Sequence, residues 1–132
     1  ASCHITGSSA DCSNLGLTSV PQNLPTGITN LNLQNNLLTT LDQSDFSRYG
    51  GLTNLDLENN RITTICSQAF YNLSDLIFLN LQGNRLANLS ADMFTGLGNL
   101  ETLYLYNNDI NDVQAGTFNS TPQLRNLWLF QN

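Results

Sequence analysis

The chain has 132 residues, 40% of them hydrophobic, with four arginines, no lysine and ten acids for a net charge of −6. That length and apolar content suffice for one folded unit with a continuous core. The charge argues against nucleic acid and against anionic membranes, since both are held through clustered Lys and Arg, and no apolar run reaches the roughly 18 residues of a membrane span.

Residues 3–27 read CHITGSSADCSNLGLTSVPQNLPTG. Two cysteines bracket a short segment, and L-T-S-V-P and N-L-P follow. From residue 28 the chain repeats. ITNLNLQNNLL, LTNLDLENNRI, LIFLNLQGNRL, LETLYLYNNDI and LRNLWLFQN start at Ile28, Leu52, Leu76, Leu100 and Leu124, always 24 residues apart. Phe46, Phe70, Phe94 and Phe118 keep the same period, as do Leu41, Ile65, Leu89 and Val113. The pattern L-x-x-L-x-L-x-x-N-x-L is the leucine-rich-repeat signature. It predicts an α/β solenoid with a parallel sheet on the concave face and an irregular, 3-10 or short helical convex side. Residues 1–27 are expected to cap five repeats over 28–132, the last one truncated.

Each repeated residue type has a physical reason. Side chains alternate along a strand, so the leucines of L-x-L point inward and the x residues outward. One repeat cannot bury its leucines alone, and stacking buries them against the next. Asn36, Asn60, Asn84, Asn108 and Asn132 follow the strands, where an amide can satisfy backbone groups of the turn that would each cost about 1–3 kcal/mol if buried alone. The phenylalanines are expected to form an inner column.

The variable outward positions carry the functional information. Three columns run Asn30, Asn54, Phe78, Thr102, Asn126; then Asn32, Asp56, Asn80, Tyr104, Trp128; then Gln34, Glu58, Gln82, Tyr106, Phe130. Five strands about 4.8 Å apart make a face roughly 20 Å long. Phe78, Tyr104, Tyr106, Trp128 and Phe130 gather on its last three repeats and have no core role in the pattern. Exposed aromatic clusters mark interaction sites, so these five are the candidate contact residues. Asp56 and Glu58 join them as a secondary acidic contact, because no further chemical group accompanies them to make a hydrolytic pair.

Three sequons, at Asn72, Asn88 and Asn119, suit a secreted glycoprotein and fall outside the concave columns. Cys66 occupies the slot of Asp42, Ser90 and Gln114, a polar slot expected near the surface. No cofactor and no metal site is expected. A single histidine, no lysine and no nucleophile beside a base argue against an enzyme.

These features together resemble a family. The 24-residue repeats, the C…C-x(4)-L-T-S-V-P stretch and strands such as LETLYLYNND resemble extracellular leucine-rich-repeat receptors. Variable lymphocyte receptors and their invertebrate relatives come first, and Toll-like receptor ectodomains second. The resemblance implies that residues 3–27 are the second half of a cysteine-rich N-terminal cap, with a Cys3–Cys12 disulfide and hence an oxidising, extracellular setting. The family's usual first cysteine pair is missing, and so is the proline often found where Asp42, Cys66, Ser90 and Gln114 stand. The resemblance further implies recognition of a protein or glycan, on a microbial surface in the immune case, through the concave sheet. The other candidate role is a matrix or adhesion protein. The chain stops at the asparagine of its fifth repeat, so a piece of a longer receptor is expected. Were it complete, the open C-terminal edge or the concave face should pair with a second copy as a homodimer.

Overall fold

The computed structural model describes residues 2–132. The first elements form an antiparallel hairpin, β1 (His4–Thr6) and β2 (Ser9–Asp11). Five strands then recur, one per repeat: β3 (Asn30–Asn32), β5 (Asn54–Asp56), β7 (Phe78–Asn80), β9 (Thr102–Tyr104) and β11 (Asn126–Trp128). The order β1-β2-β3-β5-β7-β9-β11 makes one seven-stranded sheet, parallel from β2 onward. Register follows the period: Leu31, Leu55, Leu79, Leu103 and Leu127 lie side by side. Backbone bonds continue one turn beyond each strand, for example Leu57 N to the Asn80 carbonyl at 2.8 Å and Asn59 N to the Gln82 carbonyl at 3.0 Å. The third outward column is therefore also tied to its neighbours by backbone bonds.

The leucines are buried because each coil supplies only half a core. Leu31, Leu33, Leu55, Leu57, Leu79, Leu81, Leu103 and Leu105 are nearly solvent-free. Behind them Phe46, Phe70, Phe94 and Phe118 stack with centroids 6.1, 6.5 and 6.0 Å apart and planes within 26°. Offset stacks of this kind add about 0.5–1.5 kcal/mol per pair beyond burial.

The asparagines act as the repeat pattern requires. Asn84 Nδ2 donates to the carbonyls of Leu57, Leu81 and Gln82, and its Oδ1 accepts from Ile62 N at 3.0 Å. Asn36, Asn60 and Asn108 repeat the arrangement. The residue before each of them is left-handed, at Asn35, Asn59, Gly83 and Asn107. Gly83 takes this conformation without a side chain, and a Cβ there would meet Asn59 Oδ1, so the Asn59 side chain would have to move aside.

On the convex side the expectation of irregular structure needs extension. One short helix, α1 (Gln43–Phe46), is present and is capped by Asp42 and Asp45 in a reciprocal capping box. Beside it stand two strand pairs, β4 (Thr40–Leu41) with β6 (Thr64–Ile65) and β8 (Asn88–Leu89) with β10 (Asp112–Val113). Leu41, Ile65 and Leu89 are buried there, whereas Val113 is 47% exposed. Val113 pairs with Leu89 on one side, and among the described residues no strand lies on its other side.

The N-terminal segment is tied down at three places. Cys3 and Cys12 form a disulfide. Asn36 Oδ1 accepts from Leu15 N and Leu17 N, carrying the asparagine ladder into the cap. Tyr49, buried where later repeats have Leu73, Leu97 and Thr121, donates its hydroxyl to the Pro21 carbonyl at 2.6 Å and accepts from Leu24 N.

Candidate ligand-binding face

The outward columns stand on a rigid platform. Phe78, Tyr104 and Trp128 lie on β7, β9 and β11, and Tyr106 and Phe130 follow two residues after the last two. Because the sheet is parallel and in register, Trp128 lies directly beside Tyr104, while Phe78, opposite Thr102, reaches Tyr104 diagonally. Phe78 meets Tyr104 edge-to-face at 5.2 Å and 89°. Tyr104 stacks on Trp128 at 4.4 Å and 21°. Tyr106 stacks on Phe130 at 4.7 Å and 9° and touches Trp128 at 5.8 Å. All five rings form one continuous path, with Trp128 42% and Phe130 54% exposed. Desolvation first, then the charge of Glu58 and the neighbouring Tyr104, push the Tyr106 phenol above its usual value. It stays a neutral donor at physiological pH.

Asp56 and Glu58 lie on the same face and are engaged by amides. Gln34 Nε2 donates to Asp56 Oδ2 at 2.7 Å, Glu58 N to Asp56 Oδ1 at 3.0 Å and Asn80 Nδ2 to Glu58 Oε1 at 3.0 Å. These bonds orient both carboxylates without cancelling their charge.

The remaining sequence candidates sit elsewhere. Asn72, Asn88 and Asn119 are exposed. Asn88 is on the convex strand β8, and the Asn72 amide donates to the Ser47 carbonyl of the preceding coil at 2.8 Å. Cys66 is exposed and unbonded. Two residues of the concave face are absent from the sequence columns. β2 pairs in parallel with β3, so Ser9 and Asp11 continue the rows of Asn30 and Asn32. Here the offset is 21 residues instead of 24, which hides the match. The signal was present in A-D-C-S-N, where Ala10 and Cys12 are buried like a leucine pair and Asn14 is left-handed like Asn35.

The model of the family described as "Leucine rich repeat" matches residues 26–86 and 79–132. The chain belongs to the leucine-rich-repeat family. Among curated leucine-rich-repeat relatives, human Toll-like receptor 3 is 51% identical over 47 residues, which is 36% of this chain and 5% of that protein. Biglycan of Xenopus laevis is 57% identical over 35 residues, 26% of this chain and 10% of its own length. Among solved structures, the TLR13–ssRNA13 complex superposes with a TM-score of 0.89 at 30% identity, over 92% of this chain and 18% of that one. The Drosophila Toll–Spatzle complex gives 0.80 at 38% identity, over 86% and 16%. This chain thus spans a small fraction of each of these leucine-rich-repeat proteins. Among the described residues no helix is long and apolar enough to cross a membrane.

Proposed function

We propose that this chain is the ligand-reading part of an extracellular immune-type receptor, similar to variable lymphocyte receptors or Toll-like ectodomains. It acts as a binding module, not an enzyme. The observation that carries this reading is the stacked, partly exposed aromatic path Phe78–Tyr104–Trp128 with Tyr106 and Phe130. Pre-stacked rings lose little entropy when a partner covers them, and Tyr and Trp dominate binding hot spots. Asp56 and Glu58 form the polar rim. The Cys3–Cys12 disulfide supports an oxidising compartment, and the exposed sequons off the concave face suit a glycoprotein whose glycans leave that face clear.

A protein or a carbohydrate, on a microbial surface, is the ligand class we favour. The Toll structure carries Spatzle, a protein. The TLR13 structure carries single-stranded RNA, so the fold itself gives no support to excluding nucleic acid. In this chain none of the three outward columns contains a cation to meet phosphate, which disfavours nucleic acid on this face. The biglycan match favours a second reading, a matrix or adhesion role with contact between copies.

The test is binding of multimerised chain to bacterial, fungal and host cell surfaces, beside the Tyr104→Ala/Trp128→Ala variant. Selective microbial binding that the variant loses is the expected result. Binding that the variant retains would move the site off the aromatics. Binding to host matrix alone would favour the adhesion reading.

A further inference from the structure

The aromatic path covers only the C-terminal part of the concave face. The N-terminal part holds a shallow pocket of about 320 Å³, at the small end of ligand pockets. Two rows of side chains line it, placed by strand register. One row runs Asn30–Asn54–Phe78 and the other Asp11–Asn32–Asp56. The rows therefore present amides and carboxylates in front of a single aromatic wall.

The lining still has hydrogen-bonding capacity to offer. Asn32 uses its Oδ1 to accept from Gln34 N, which leaves its amide donors. Asp11 uses one oxygen for Ser13 N and Oγ, which leaves the other. Asn54, exposed at the edge, adds a donor and an acceptor. No cation lines the pocket. Planar amides and carboxylates that each take or give two bonds match vicinal hydroxyls. An aromatic wall matches the C–H face of a sugar ring. An apolar ligand would strip water from these groups without replacing its bonds, and an anionic ligand would meet Asp11 and Asp56.

We propose that this pocket is a sugar subsite that takes one uncharged or amino-substituted pyranose unit of a glycan. The rest of the ligand would run over Phe78 onto the stacked rings. The proposal rests on the reading that the concave face is the ligand side.

The experiment titrates the chain with methyl hexosides, glucosamine and glucuronic acid while NMR follows the side-chain amides of Asn30, Asn32 and Asn54. Saturable shifts with neutral or amino sugars, in the millimolar range, and none with the acid are expected. Asn54→Arg should weaken this binding at least about ten-fold and leave the thermal midpoint unchanged. Absence of saturable shifts, equal shifts with glucuronic acid, or indifference to Asn54→Arg overturns the proposal. So does a basic peptide that moves these amides when sugars do not. The cell-surface assay separates the two readings. If Tyr104→Ala/Trp128→Ala abolishes surface binding while sugars move nothing, the pocket fails and the aromatic site stands. If that variant also binds normally, both fail.

Discussion

Two aromatic stacks run along this solenoid, and they are made alike. The inner one joins Phe46, Phe70, Phe94 and Phe118 at about one ring per coil. The outer one joins Phe78, Tyr104, Trp128, Tyr106 and Phe130. Similar coils place equivalent side chains side by side in the inner stack and in the Tyr104–Trp128 and Tyr106–Phe130 pairs, while Phe78 joins Tyr104 diagonally. Phe46, Phe70 and Phe94 are enclosed and Phe118 is partly buried, so water has largely been removed from the inner rings during folding. The outer rings keep accessible surface, so their burial is left for a partner. The same geometry serves stability on one side of the sheet and recognition on the other.

The sharpest way to test that division is Phe70→Ala. The ring sits between Phe46 and Phe94 with no access to solvent. Denaturant unfolding should report a loss of about 3–5 kcal/mol, enough to melt a marginal chain. A small loss would mean that the inner stack is dispensable, and the comparison would collapse.

Asn84→Ala should come next. Its amide serves three carbonyls and one N–H in the turn between the stacks. Stranding them should cost about 1–3 kcal/mol. Because these bonds reach only backbone groups and no side chain of the concave face, surface binding of the folded fraction should not change. A selective binding defect would show that the turn itself shapes the ligand face.

Tyr104→Ala/Trp128→Ala is the mirror of Phe70→Ala. Most of the variant's cost should fall on binding, with stability lowered by only about 1 kcal/mol, because partly exposed rings have less burial to lose. A stability loss as large as that of Phe70→Ala would place the outer rings in the core instead.

The smallest effect belongs to the polar end of the face. The Ser13 hydroxyl and then its N–H hold the Asp11 carboxyl below the usual range. The unfolded chain therefore takes up this proton more readily than the folded one. The contribution is complete above a pH of about 4 and disappears as pH falls through the folded value. Ser13→Ala should shrink it and move the acid-unfolding midpoint slightly upward. Asp45, pushed up by burial, titrates with the opposite sign, so the variant has to be compared with the parent chain. No movement of the midpoint would mean that Asp11 is not held by Ser13.

Much of this molecule is legible in one dimension. The 24-residue period predicts the leucine core, the phenylalanine column, the asparagine turns and the membership of the concave columns. Each coil meets a near-copy of itself, so a residue's lateral neighbours are the ones 24 positions away. Where the period breaks, so does that legibility. Ser9 and Asp11 join the face through a 21-residue offset. Tyr49 substitutes a hydrogen-bonded ring for a leucine to lock the cap. The stacking of Tyr104 on Trp128, and the amides left facing a pocket beside Phe78, also depended on the tertiary structure. Those are matters of side-chain direction and of competition for hydrogen bonds between coils. A repeating sequence determines which residues are neighbours, but packing decides which of their atoms meet.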